Sequence, residues 1–256
     1  MEAAAYAEFR DLESRHWWFI GRWAIFSELL ERRVFPDVAR NPDCLDVGCG
    51  MGGALERLAA AGGTVTGTDV SVDALKWCRG RGFPRVLHAD GTNMPFADAS
   101  FDVVTAFDTI EHIPDDLAAF RECRRVLRPG GKFVLSGPAY EWLWTHQDDV
   151  VHHQRRYTTS RVAEVARRAG FVVEHTSYFN VALFPVILGV LGMVKIKERL
   201  FPPGDADQSS NVSIPVPGPA NALLARLLAA ERHLVSRVSM PFGHSLILIA
   251  RKPPDP

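Results

Sequence analysis

Apolar positions follow two alternating rhythms along this chain. Short apolar or β-branched runs at residues 44–47, 64–69, 85–90, 101–108, 132–137 and 171–175 read as buried strands. Between them, residues 54–60, 71 onward, 114–127 and 158–169 place apolar side chains at helical spacing. Ser71 is a natural N-cap for the second of these helices, as is Thr158 or Ser160 for the fourth. The third is expected to stop at Arg128-Pro129-Gly130-Gly131, and the fourth at Gly170. Strand and helix in strict alternation predict a parallel sheet joined by right-handed crossovers. A last apolar run at 245–250 adds one further strand near the C-terminus.

The first strand ends in the most informative stretch, Cys44-Leu45-Asp46-Val47-Gly48-Cys49-Gly50-Met51-Gly52-Gly53. Alternating glycines tolerate positive φ and carry no Cβ, so backbone there can lie against a small, nucleotide-like ligand. Asp69 ends the second strand about twenty residues beyond the glycines, where an acid accepts hydrogen bonds from both ribose hydroxyls. Asp90 ends the third strand, where an acid can accept from an exocyclic amine such as that of adenine.

Composition narrows the class. With 256 residues, 47% hydrophobic and 23% charged, the chain can bury a substantial core. A formal charge of −1 with no long basic run argues against nucleic acid as a partner. Cys44, Cys49, Cys78 and Cys123 show neither a disulfide framework nor metal spacing, and residues 1–8 lack a secretory signal, so a cytoplasmic setting is expected.

Taken in order, Asp46-x-Gly48-x-Gly50-x-Gly52, Asp69, Asp90-Gly91, Phe101-Asp102-Val103-Val104 and Leu127-Arg128-Pro129-Gly130-Gly131 resemble the class I S-adenosylmethionine-dependent methyltransferases. The resemblance covers roughly residues 40–180 and the final strand. It implies an α/β, Rossmann-like seven-stranded sheet of order 3-2-1-4-5-7-6 with the seventh strand antiparallel. It also implies S-adenosylmethionine as cofactor, with S-adenosylhomocysteine as product. On the same footing Gly48, Gly50 and Gly52 border the methionine and ribose, Asp69 holds the ribose, and Asp90 with Gly91 contacts adenine. Asp46 would stand near the methionine amino group, and Phe107, Asp108 and Glu111 would border the methyl-transfer pocket. Trp18, Arg22, Val70 and Thr92 complete the expected cofactor set. His16-Trp17-Trp18-Phe19, the segment from Pro138 to Tyr157, and Pro241-Phe242-Gly243-His244 resemble a bacterial branch of these enzymes associated with polysaccharide, lipid-carrier or secondary-metabolite pathways.

The expected organisation is an N-terminal helical lid at 1–40, a cofactor-binding core at 41–179, a helical insertion or cap at 180–241, and the final strand and tail at 242–256. The aromatic N-terminus reads either as a helix packed on the domain or as a cover over the ligand. His112 could deprotonate an acceptor hydroxyl or cap the following helix. In the polar segment 142–157, three readings stand: His153 or His146 is a base steered by Asp148, a His/Asp group binds a metal, or Arg155, Arg156 and Tyr157 hold an anionic acceptor. The irregular spacing matches no strong metal motif, so no metal is expected. Residues 181–200 are apolar and then basic, which fits a buried lid helix or dimer contact, or a helix touching a membrane or lipid acceptor.

The expected function is methyl transfer to a small-molecule or lipid-linked acceptor, at oxygen. A noncatalytic S-adenosylmethionine-binding subunit and a nicotinamide-dependent oxidoreductase are the alternatives.

Overall fold

The computed structural model describes residues 12–13, 15–200 and 216–254. Most of the expected Pro/Gly/Ser-rich loop at 201–219 lies outside the described residues, as do the first residues of the N-terminal segment. The strands are β1 (Asp43–Val47), β2 (Thr64–Asp69), β3 (Val86–His88), β4 (Phe101–Phe107), β5 (Leu127–Pro138), β6 (Val172–Phe179) and β7 (Ser245–Arg251). They form one seven-stranded sheet of order β3-β2-β1-β4-β5-β7-β6, with β7 antiparallel to both neighbours. The expected order and the reversed last strand are both present.

The helices are α1 (Trp17–Arg33), α2 (Gly53–Ala60), α3 (Val72–Gly80), α4 (Asp116–Val126), α5 (His146–Val150), α6 (Thr159–Arg168), α7 (Phe184–Leu200), α8 (Gly218–Ala230) and α9 (Arg232–Val235). Alternation along the central strands divides the core in two. Leu45, Val104, Leu135 and Leu248 face α4 and α6 on one side, while Cys44, Val103, Val134 and Ile249 face α1, α2 and α8 on the other. α1 is therefore a layer of the core: Phe19, Trp23, Ile25, Phe26 and Leu29 are buried against the sheet. Asn221 of α8 accepts a hydrogen bond from the Trp17 N–H and donates to the Arg15 carbonyl, so the late insertion satisfies the start of the first long helix.

Two boundaries differ from the sequence expectation. The third strand is an edge strand of three residues, because it pairs only with β2 and only Val86 of it is buried. Arg128-Pro129-Gly130-Gly131 does not form the stop after α4. That helix ends at Val126, Leu127 is already extended, and the Pro-Gly-Gly segment makes an irregular start to β5, with a register shift opposite Phe101 and Val103. Such an irregularity tolerates a proline without an N–H and a Gly130 at φ 83°.

Candidate active site

The C-terminal ends of β1, β2, β4, β5 and β6 and the segment entering β7 share one edge of the sheet. At the first of these ends the chain turns on its glycines. The N–H groups of Gly48 and Cys49 both donate to the Thr68 carbonyl, which fastens the turn to β2. Gly50 lies at φ 48°, its N–H donates to Asp69 Oδ2 at 2.8 Å, and a Cβ built on it would meet nothing within 4 Å. The open space against this left-handed backbone is the cradle a ligand would fill. Asp69 also accepts from the Ser71 N–H, so its carboxylate is fixed at the end of β2.

Asp46 lies one turn of strand deeper, 2% exposed, and accepts from Thr105 Oγ1 at 2.6 Å. Burial pushes its carboxyl up to about 7 despite that hydrogen bond, with Asp69 adding to the rise. Val70 is exposed directly after β2. Asp90 is exposed after β3 and accepts from the Thr92 N–H and hydroxyl, while a Cβ on Gly91 would lie 2.9 Å from Ile113 Cδ1 and 3.2 Å from Val47 Cγ1. Phe107 is buried and stacked on Phe26 of α1 at 4.6 Å.

The other half of the edge is polar and crowded. Asp108, at φ 49°, pairs with Arg22 of α1 and accepts from Ser136 Oγ at 3.0 Å. The Arg22 guanidinium lies among the rings of Trp18, Phe19, Trp23 and Phe26. Trp18 itself stacks on Phe179 and meets His244 edge-on. α1 thus brings both Trp18 and Arg22 to the edge while packing as core.

Asp148 joins the two loops. It is part of a capping box with Thr145 at the start of α5, it takes Arg156 on both oxygens at 2.8 and 2.9 Å, and His153 Nδ1 lies 2.7 Å from Oδ1. Burial alone would raise its carboxyl, but the hydrogen bonds from His153 and Arg156 outweigh it and hold the group well below the usual carboxylate range. An ionised carboxylate only accepts, so His153 donates to Asp148 through Nδ1. Its ring lies 4.8 Å from that of His112. Burial, then the neighbouring His153, pushes His112 down to about 4. Helix capping falls to Asp115, which accepts from the Ala118 N–H, and not to His112. His146 stands in the first turn of α5 with its backbone N–H donated to Glu198, while the carboxylate contact shown for Asp148 is with His153.

The Arg155-Arg156-Tyr157 set is engaged within the chain. Arg155 donates to the Ile113 and Pro114 carbonyls, Arg156 holds Asp148, and the Tyr157 hydroxyl donates to Asp116. Two residues to which sequence reading assigned no role stand at the same edge. Asn180, immediately after β6, is fully buried at φ 60° with neither amide atom hydrogen-bonded among the described residues. His244, immediately before β7, is pushed down to about 4 by burial and feels Arg156, Asp148 and Asp108. The signal for both was position: a polar residue abutting an apolar strand at the edge where the other acids collect. A cleft of about 530 Å³ lined by Glu13, Trp23, Gly53 and Arg81 borders the glycine turn, another of about 470 Å³ lies beside Asp43, Arg85 and Phe101, and neither is lined by the histidine–carboxylate cluster.

Residues 45–135 match the methyltransferase domain family. A Mycolicibacterium smegmatis protein described as a probable S-adenosylmethionine-dependent methyltransferase is 33% identical over 169 residues, which is 64% of this chain and 63% of that relative. The chain thus spans a little under two thirds of that relative's length. A Xanthomonas oryzae ubiquinone biosynthesis O-methyltransferase is 39% identical over 98 residues, covering 36% of this chain and 41% of the other. Among solved structures, a chain from the complex between the Haloferax volcanii Trm112 methyltransferase activator and its partner superposes with a TM-score of 0.63 at 22% identity, covering 99% of this chain and 96% of that one. That likeness speaks for the fold alone. Sheet order, glycine turn and strand-end acids agree with the family match, and residues 45–135 form a domain of the class I S-adenosylmethionine-dependent methyltransferases.

Proposed function

We propose that this chain transfers the methyl group of S-adenosylmethionine to a hydroxyl oxygen of a small or lipid-linked acceptor. The observation that carries the reading is the pairing of two half-sites on one sheet edge: the open Gly50–Asp69 cradle, and the hydrogen-bonded Asp148–His153 pair. The cofactor supplies an activated methyl on a sulfonium, and the protein's task is alignment and exclusion of water. Orientation of this kind can contribute about 7–11 kcal/mol.

Gly48, Gly50, Gly52 and Asp69 would hold the methionine and ribose side, Asp90, Gly91 and Thr92 the adenine side, with Asp46 behind the turn and Val70, Phe107 and Asp108 at its margins. Trp18 and Arg22 would close the site from α1. His153 is the group placed to make an acceptor hydroxyl nucleophilic, since Asp148 holds Nδ1 and leaves Nε2 for the pocket; the His112 ring lies beside it, tilted by 60°. A relative whose name carries O-methylation supports oxygen as the target.

The four cysteines are unpaired and buried, which fits a reducing, cytoplasmic setting. No helix among the described residues is long and apolar enough to cross a membrane. α7 nevertheless exposes Val186, Val190, Met193, Ile196 and Leu200 along one side, next to Lys197 and Arg199, and this supports a lipid-linked acceptor met at a membrane surface. Calorimetry with S-adenosylhomocysteine, followed by S-adenosylmethionine turnover against hydroxylated acceptors, tests the reading. We expect cofactor binding in the wild type, and turnover lowered about 10²–10⁴-fold in His153→Ala with that binding kept. Absence of cofactor binding, or His153→Ala turnover equal to wild type, would sink it.

A further inference from the structure

Glu111 is an unexplained group in this fold. It sits on the short 3-10 turn after β4, 1% exposed, and neither carboxyl oxygen has a hydrogen-bond partner among the described residues. Leaving a buried acceptor unpaired costs about 1–3 kcal/mol per group, and more for a charged one, so such a group in a native fold calls for a missing partner. Two imidazoles face it. One donor atom from each of Glu111, His112 and His153 falls within 4.8 Å of the others.

We propose that Glu111, His112 and His153 hold a divalent cation of the zinc or cobalt type, and that the acceptor's oxygen takes an open position on it. This rests on the methyl-transfer reading above and names how His153 acts there: through a cation held on its lone pair. The His153 imidazole is braced on Nδ1 by Asp148. Metal-binding histidines are oriented in this way, by a carboxylate or a carbonyl on the nitrogen away from the ion. Asp148 is in turn locked by both arms of Arg156, so the carboxylate–histidine pair is preset.

Two histidines, one carboxylate and an open side suit zinc, cobalt or iron better than magnesium or calcium, which prefer oxygen ligands. Donors about 2.1 Å from a tetrahedral ion stand about 3.4 Å apart, so side-chain rotations of about an ångström close the set. The local charge is compatible: Asp108, Glu111 and Asp148 face Arg22 and Arg156, three carboxyls against two guanidiniums. A cation there would make a bound hydroxyl a stronger acid, which is what oxygen methylation requires. Sequence spacing hides the site, because its third donor comes from the loop after β5.

The test is titration of the chelator-stripped full chain with Co²⁺, read by visible absorption. One saturable equivalent with a d–d band is expected. Glu111→Gln and His153→Ala should each weaken Co²⁺ binding by at least about tenfold, and Asp148→Asn by about 10–100-fold as a positioning residue. His88→Ala, on β3 at the far edge, should bind as wild type. No saturable Co²⁺ uptake, or equal affinity in the wild type and both ligand variants, overturns the proposal. Thermal melts confirm folding, and if Glu111→Gln fails to fold, the part-exposed His153→Ala carries the decision. S-adenosylhomocysteine calorimetry in chelator separates the two readings: retained cofactor binding without Co²⁺ uptake removes the cation alone, and Co²⁺ uptake without cofactor binding removes the methyl-transfer reading.

Discussion

Gly50 and Gly82 offer a controlled comparison at the scale of one residue. Both lie at positive φ, 48° and 89°, and a Cβ on either would meet nothing within 4 Å. Alanine at each position therefore costs mainly backbone strain, about 1–2 kcal/mol. Only at Gly50 does the new methyl enter the proposed cofactor cradle. We expect similar drops in Tm for Gly50→Ala and Gly82→Ala, and loss of S-adenosylhomocysteine binding in calorimetry for Gly50→Ala alone. Asp46 gives a pH signature of its own. Burial raises its folded carboxyl to about 7, against about 3.9 in the unfolded chain. The folded state thus binds more protons in this window, and stability contributed by the protonated form is lost as pH rises from about 4 to about 7. Asn at this position can still accept from Thr105 but does not titrate, so the difference in Tm between pH about 5 and about 8 should narrow in Asp46→Asn. An unchanged difference would show that another group titrates. The glycine turn and the placement of Asp69 at the end of β2 were legible in sequence because both are tied to local backbone geometry. The choice of His153 over His146 as partner of Asp148 was not, because a short helix intervenes and turns one toward the carboxylate.

Among the elements, α1 and α8 come from opposite ends of the chain and pack through a glycine. A Cβ on Gly21 would lie 2.6 Å from Leu228 Cβ and 2.7 Å from its Cγ and Cδ2. Helix propensity favours alanine over glycine by about 1 kcal/mol, while overpacking costs about 1–3 kcal/mol. The clash includes Cβ, which no rotamer moves, so Gly21→Ala should lower Tm. Leu228→Ala alone should cost about 2–5 kcal/mol, and the double variant should cost less than the sum, which denaturant titration would show as a coupling energy. An additive result would mean that the two helices do not press on each other there. The dense aromatics of α1 were readable as burial, and the same packing carries Arg22, caged by four rings, to Asp108 at the end of β4. The stop expected at Pro129-Gly130 was misplaced because proline and glycine also mark strand irregularities, and pairing with β4 decides between the two.

At the scale of the whole molecule, the sheet sets what can meet at its edge, and α7 carries an outward apolar row. If the acceptor is presented by a membrane, the full chain should float with anionic vesicles, and Val190→Asp with Met193→Asp should abolish flotation while leaving S-adenosylhomocysteine binding intact. Flotation of the double variant, or none by the wild type, would count against membrane contact. The chain's one-dimensional pattern determined the strand–helix alternation, the glycine turn, and Asp69 and Asp90 at strand ends, the motifs on which the family resemblance and its implied cofactor rest. These depend on local propensity, on period, and on contacts set within a single strand–turn–helix unit. What tertiary structure alone decided was the polar cluster at the far half of the edge: that Glu111 is buried with no side-chain hydrogen bond among the described residues, that Arg156 locks Asp148, that His112 meets His153, and that Asn180 and His244 stand at the same edge. Each joins residues from separate loops, and only the stacking of parallel strands brings those loops to one edge of the sheet.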